Sequence, residues 1–327
     1  DKPKQLLKLT GERTMIQQSY DRAMQLGDKV YVVTEASHSD ALRAQLPELP
    51  DSAFLIEPGR RGTAHCIVFA LDYIARNHDK TEPVAFIHAD HYVRDVKGFA
   101  RSFKVAAKVS SERNEICLIG IEPTFAATGF GYIERDGTIS EDGASVYRVK
   151  SFKEKPDFET ATQYVESGNY LWNCGYFVGS VDTFLGEMQR NAPDLLASYD
   201  SLAVINNVGG TEYNNVYSAL DNQVIDIALI EKADKLSVVS ASFDWVDVGN
   251  FKDLHDVVLK DQDENYIKGS NIHTIEVDNV YVRNEESKAV AVIGLDNVIV
   301  VNTPDGLLIA RKDLSAKCGD IAKKLQN

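Results

Sequence analysis

Over its first two-thirds the chain alternates short apolar runs with amphipathic stretches, and this rhythm constrains the fold more than anything else in the sequence. Val30 to Val33, Phe54 to Ile56, Val84 to Ile87 and Ile116 to Ile121 are long enough for buried strands and too short for buried helices. Helical spacing fills the gaps between them, over about Ser39 to Gln45, Thr63 to Ala75 and Phe99 to Val109. An earlier helix is marked by Thr14-x-x-Gln17, a capping-box pattern, with Met15, Ile16, Ala23 and Met24 on its apolar side. Strands and helices in this order predict an α/β fold built on a Rossmann-like, mostly parallel, doubly wound sheet.

From Thr128 the pattern changes. Asp136-Gly137 is a hairpin signal between Gly131-Tyr132-Ile133 and the next extended run, so the sheet is expected to be mixed. Tyr147 to Phe152 has strand character. Asp157 is placed to cap a helix that Gly168 would stop. Helices are expected from Val181 to about Ala233, then a strand over Leu236 to Val239. The tail differs again, with short apolar strands at Val280, Ala289, Val298 and Leu307 separated by turn clusters. Near-regular spacing of this kind predicts a small β-helix-like or solenoid domain. The boundary is set near Gln262, giving a catalytic domain over 1–262 and a tail domain over 263–327 that closes with a helix over about Asp313 to Leu325. Apolar strand edges on such a cap suit a homodimer interface.

Charge and cysteine usage narrow the function classes. Lys and Arg number 35 against 49 Asp and Glu, a net charge of −14, and no basic block appears, which argues against a nucleic-acid backbone as partner. Cys66, Cys117, Cys174 and Cys318 are widely spaced without a CxxC pair, so a zinc site is not expected and a reducing, cytoplasmic setting fits. No apolar run is long enough for a bilayer, so no membrane partner is expected, and no signal peptide is apparent.

Several short stretches could carry chemistry. Asp90, in Ala89-Asp90-His91, follows a strand at the carboxyl end where open α/β sheets bind ligands, and could hold Mg²⁺. A helix cap is the alternative. Asp247, in Trp245-Val-Asp247-Val-Gly249, lies among apolar residues, and a metal shared with Asp90 would relieve its burial. A cap for a helix near Asn250 would do so too. In Phe152-Lys153-Glu154-Lys155-Pro156 a lysine could neutralise a phosphate and Glu154 accept from sugar hydroxyls, unless the stretch is a solvated edge. Gly131, in Thr128-Gly129-Phe130-Gly131-Tyr132, allows close backbone approach, and Asn173 places an amide in an apolar stretch. The loop Glu57-Pro58-Gly59-Arg60-Arg61-Gly62-Thr63-Ala64 joins a strand to a helix N-terminus, which favours anions. Glu57 could accept from the two adjacent donors of guanine, N1–H and the N2 amine, whereas uracil and thymine offer one. His65, His88 and His91 are expected in surface or structural roles.

Taken together and in this order, the stretches resemble the sugar nucleotidylyltransferase family, and within it the mannose-1-phosphate guanylyltransferase branch. Pro3-Lys4-Gln5 is similar to the family's PKQ, and the Glu57 to Ala64 loop to its EPxxRNTA. Ala89 to His91 resembles (A/S)DH, Thr128 to Ile133 TGYGYI, and Phe152 to Pro156 FVEKP. Trp172 to Phe177 resembles WNSGMF, Val224 to Lys232 SIDYAVMEK, and Trp245 to Gly249 WxDVG. The family's Gly-rich GGxGTRLxP phosphate loop and first strand would lie just upstream of Asp1. Gly62 stands where the branch usually carries Asn, and Arg60 where it carries a small residue.

The resemblance implies in-line attack of a sugar 1-phosphate on the α-phosphorus of GTP, with pyrophosphate leaving. It assigns Asp90 and Asp247 to Mg²⁺, and Lys4 and Lys155 to the reacting phosphates. Gly131, Glu154 and Asn173 go to the sugar, and Glu57, Arg61, Gly62, Thr63 and Ala64 to the base and nucleotide. The implied substrates are GTP and mannose 1-phosphate. Another hexose 1-phosphate with another NTP, and a non-catalytic relative, are the competing expectations.

Overall fold

Asp157 accepts a hydrogen bond from the Thr160 N–H at 2.8 Å, and Gly168 closes the same helix, Phe158–Ser167, in the left-handed region at φ 67°. A carboxylate at the first turn and a residue without Cβ just past the last are what stop a helix at both ends. The protein is described by a computed structural model that covers residues 3–140 and 144–325. Its first strands are β1 (Val32–Glu35), β2 (Phe54–Glu57), β3 (Val84–Phe86), β4 (His91–Tyr92) and β5 (Ile116–Ile121). Then come β6 (Tyr132–Ser140), β7 (Val146–Lys153), β8 (Tyr170–Gly179), β9 (Leu236–Ser240) and β10 (Val246–Asp247). The helices among them are α1 (Met15–Ala23), α2 (Ala36–Gln45), α3 (Gly62–Asn77), α4 (Val96–Arg113) and α5 (Phe158–Ser167). They continue with α6 (Val181–Asn191), α7 (Pro193–Ala203), α8 (Thr211–Ala219), α9 (Ile225–Ala228) and α10 (Phe251–Val257). Two compact units result, one formed by residues 16–89 and 93–245, the other by 3–15, 90–92 and 246–325.

The larger unit is built on a six-stranded sheet in the order β3-β8-β5-β9-β7-β6, beside the separate parallel pair β1–β2. The sheet is mixed, and within it only β5–β9 is parallel among the described residues; the other pairings are antiparallel. The mostly parallel arrangement expected from the alternation therefore does not form. Strand β8, buried over most of its length, enters between β3 and β5 and runs against both. Helical periodicity cannot separate a crossover helix from one that returns the chain, so strand direction is invisible in the pattern.

Successive residues of β5 serve opposite faces. Ile116 and Leu118 join a core with α3, α6, α7 and α8, while Cys117 and Ile119 pack with Phe99, Phe103 and Ala106 of α4. The Asp136-Gly137 hairpin is also absent. β6 runs through both residues to Ser140, with register shifts against β7 between Arg135 and Thr138, and β7 begins at Val146; 141–143 fall outside the described residues. The pair sits in a strand irregularity instead of a turn.

The smaller unit holds the tail strands β11 (Tyr266–Gly269), β12 (Ile272–Ile275), β13 (Tyr281–Asn284), β14 (Val290–Ile293), β15 (Val298–Thr303) and β16 (Gly306–Arg311). β11, β13 and β15 stack in parallel with Tyr266, Tyr281 and Ile299 in line, and β12 and β14 form a second parallel ladder. Val280, Val282, Val292 and Val300 fill the space inside these rungs. This is the β-helix-like architecture expected. β11 and β12 were not among the expected strands, because half their residues face outward and their apolar run is broken. β16 turns back antiparallel on β15 and leaves Leu307 and Ile309 exposed. A 3₁₀ turn (Lys312–Lys317) and α11 (Cys318–Leu325) follow, where one helix was expected. Among the described residues no helix is long and apolar enough to cross a membrane.

Candidate functional site

The smaller unit brings Asp90 and Asp247 to one point. His91 of β4 pairs in antiparallel register with Asp247 of β10, so Asp90, one residue earlier, arrives beside it. Lys4 opens a 3₁₀ turn anchored by buried Leu6. Its ammonium lies 2.9 Å from Asp90 Oδ2 and 3.5 Å from Asp247 Oδ1, and donates to the Val248 carbonyl at 2.8 Å. The side chains of Lys4, Asp90 and Asp247 are 31%, 36% and 41% exposed, so solvent screens the ion pairs and their contribution to stability is small. What matters is the convergence of two carboxylates on one cation. Carboxylate oxygens that leave room for water and phosphate oxygens are the donor set Mg²⁺ takes, and these residues fit it.

Glu57 ends β2, beside Glu35 in register on β1. The buried Tyr217 hydroxyl donates to Glu57 Oε1. Burial pushes the Glu57 carboxyl up, the Tyr217 hydroxyl and the Arg61 backbone N–H pull it back, and the neighbouring Glu35 charge raises it again. Arg60 pairs with Glu35, while the Arg61 guanidinium donates to the Ser218 and Arg60 carbonyls. Gly62 opens α3 at φ 78°, and a Cβ there would lie 2.1 Å from the Gln223 carbonyl oxygen. That contact gives a physical reason for glycine where the resemblance expects Asn, since Asn tolerates the dihedral but brings a Cβ. The loop is tied down by Ala64 N–H donating to Gln223 O at 3.1 Å, Gln223 N–H to Arg61 O at 3.1 Å, and Ile225 N–H to Thr63 Oγ1 at 3.0 Å. His65 is buried between the Arg61 carbonyl and the Ser198 hydroxyl, a structural role as expected.

A third cluster gathers Gly131, Glu154, Lys155 and Asn173 in the larger unit. A Cβ on Gly131 would come within 2.6 Å of Glu154 Oε2 and 3.2 Å of the Asn173 Cβ, and Asn173 N–H donates to Gly131 O at 2.8 Å. The Lys155 ammonium, on a left-handed residue at φ 45°, lies 3.0 Å from Glu154 Oε1. The Asn173 amide is fixed at both ends: Nδ2 donates to Asp226 Oδ1 at 2.8 Å, and Oδ1 accepts from Gly175 N–H at 3.0 Å. Burial, with the Glu154 charge adding to it, pushes the Asp226 carboxyl up to about 6 against the opposing pull of Asn173 and Lys155. Glu231 accepts the Glu154 backbone N–H at 2.9 Å.

Sequence reasoning left Asp226, Glu231 and Tyr217 without roles. The first two lie in the Val224 to Lys232 stretch, whose resemblance is to a motif as a whole and carries no role for a single residue. Tyr217 lies on a helix whose aromatic content signals core and nothing more.

Residues 1–264 match the family model described as nucleotidyl transferase, and 270–325 the one described as MannoseP isomerase/GMP-like beta-helix domain. The alginate biosynthesis protein AlgA of Pseudomonas putida is 34% identical over 322 residues, which make up 95% of this chain and 64% of that protein. The chain thus spans a little under two thirds of such a relative's length. A mannose-1-phosphate guanylyltransferase of Escherichia coli is 31% identical over 336 residues, 99% of this chain and 71% of that one. A solved structure from Thermus thermophilus, described as a mannose-1-phosphate geranyltransferase, superposes with a TM-score of 0.86 at 26% identity, covering 99% of this chain and 93% of that one.

Proposed function

Because this chain belongs to the nucleotidyl transferase family, we propose that it transfers GMP from GTP to mannose 1-phosphate, giving GDP-mannose and pyrophosphate with Mg²⁺ or another divalent metal. The single observation that carries this reading is the convergence of Asp90 and Asp247 on the Lys4 ammonium. Phosphoryl and nucleotidyl transfer need charge neutralisation and positioning more than covalent chemistry, and this cluster offers both a fixed cation and a carboxylate pair for a metal. A bound metal would polarise the α-phosphate. Asp90 and Asp247 would hold it, Lys4 neutralises the reacting phosphates, and Lys155 binds the phosphate of the sugar. Gly131, Glu154 and Asn173 fix the sugar hydroxyls. Glu57 reads the base, with Arg61, Gly62, Thr63 and Ala64 shaping the loop that holds the nucleotide. The naming of the Escherichia coli relative supports these substrates.

The proposed compartment is the cytoplasm, in keeping with four unpaired cysteines. The proposed assembly is a homodimer through the outward apolar side chains of the tail, Ile275, Ile293, Leu307 and Ile309. The test is pyrophosphate release with GTP and mannose 1-phosphate, with and without Mg²⁺, within a screen of four NTPs against several hexose 1-phosphates. Release is expected to be fastest with GTP, mannose 1-phosphate and metal together. A different best pair would transfer the reading to another sugar nucleotide, and no release with any pair would leave a non-catalytic relative.

A further inference from the structure

One segment of the larger unit touches every residue assigned to the base and most of those assigned to the sugar. Tyr217 and Ser218, at the end of α8, hold the Glu57 carboxylate and the Arg61 guanidinium. Gln223 exchanges hydrogen bonds with Arg61 and Ala64 and closes against Gly62 so tightly that no Cβ fits. Ile225 N–H is held by Thr63 Oγ1. One residue later Asp226 holds the Asn173 amide, and five residues after that Glu231 holds the Glu154 backbone. Ile225, Ala228, Leu229 and Ile230 are buried between these contacts, so the segment cannot slide at one end without moving the other.

We infer that residues 217–231 form a strut coupling the nucleotide loop 57–64 to the sugar cluster, with Asp226 as the positioning residue for Asn173. The inference rests on the proposed function for the identity of the two ligands. Its physical content is local. A nucleotide that orders the loop around Thr63 fixes Ile225, and Ile225 fixes the adjacent Asp226. The Asn173 amide is then already oriented when the sugar phosphate arrives, and the ordering cost is not met a second time. Asp226 acts through Asn173 and does not need to touch the sugar. Its carboxylate sets which end of that amide points toward Gly175 and which away from it.

Calorimetric titration of mannose 1-phosphate into the full chain, with and without saturating GDP, measures the coupling directly. In the wild type GDP is expected to tighten mannose 1-phosphate about fivefold. Thr63→Val keeps the shape of the side chain and deletes the acceptor for Ile225 N–H, and Asp226→Ala deletes the acceptor for Asn173. Each should bring the ratio close to one. Asp226→Asn, whose amide oxygen still accepts from Asn173, should restore most of it, which a general loss of stability would not do. A ratio of one in the wild type, or an unchanged ratio in Thr63→Val, overturns the strut. Thr63→Val alone decides if Asp226→Ala does not fold. Failure of the wild type to bind either GDP or mannose 1-phosphate is a separate result, and it removes the functional reading together with the strut.

Discussion

Asp90 and Asp247 share the Lys4 ammonium and stay a third or more exposed, whereas Asp226 faces the Glu154 carboxylate from a half-buried position, eased by Asn173 and Lys155. Both places set two acids close together. At the first, a fixed cation stands between them and water screens what is left, which leaves the pair open to the metal proposed for it. At the second, desolvation dominates and one acid holds its proton more tightly. A carboxylate pair thus becomes a cation site or a hydrogen-bonding site according to what lies between and around it, and residue types alone do not decide which. Glu57 beside Glu35 is an intermediate case, with Arg60 on one acid and the Tyr217 hydroxyl on the other.

The comparison breaks most visibly at Asp90. Asp90→Asn should lower turnover about 100-fold or more while leaving GTP affinity within a few fold, because a metal's charge counts most as charge develops on the phosphates. Wild-type turnover at saturating Mg²⁺ would remove the metal role, and with it the contrast between the two pairs.

A pH series sharpens the second half of the comparison. The Asp226 carboxyl is raised from its ordinary 3.8 to about 6 in the folded protein. Between these values the unfolded chain releases a proton that the folded chain keeps. This group therefore costs stability progressively as pH rises from about 4 to about 6, and the cost is complete above 6. Asp226→Asn removes it. Chemical denaturation at pH 4 and pH 7 should show the variant gaining on the wild type by about 1–3 kcal/mol over that interval. A difference independent of pH would show that Asp226 titrates as an ordinary exposed acid. The smallest effect is expected at the base. Glu57→Gln replaces one acceptor oxygen by a donor amine and should reduce the preference for GTP over UTP about tenfold in a competition assay. Unchanged discrimination would detach the Glu35–Glu57 pair from base reading and leave it structural.

Much of the architecture was legible because it follows from neighbours in the chain. The Asp157 cap, the Gly168 stop and the alternation of strands with helices depend on contacts a few residues apart. The tail was legible as stacked short strands for the same reason, although β11 and β12, half exposed, carried too broken an apolar run to be seen. Asp136-Gly137 shows where local chemistry loses. The pairing of β6 with β7 carried the strand through a dipeptide that favours a turn.

By itself, then, the sequence determined the layer type, the order of the elements and the residue types available to the proposed site. Each depends on short-range periodicity or on a side chain's own chemistry. Tertiary structure alone decided strand direction in the central sheet, the meeting of Asp90 with Asp247 through the β4–β10 pair, and the closing of Gln223 over Gly62. It also placed Asp226 against Asn173 and Glu154, where burial raises its carboxyl. These are long-range contacts, and the free energy that fixes them comes from desolvation and packing among residues far apart in the chain, which no local pattern records.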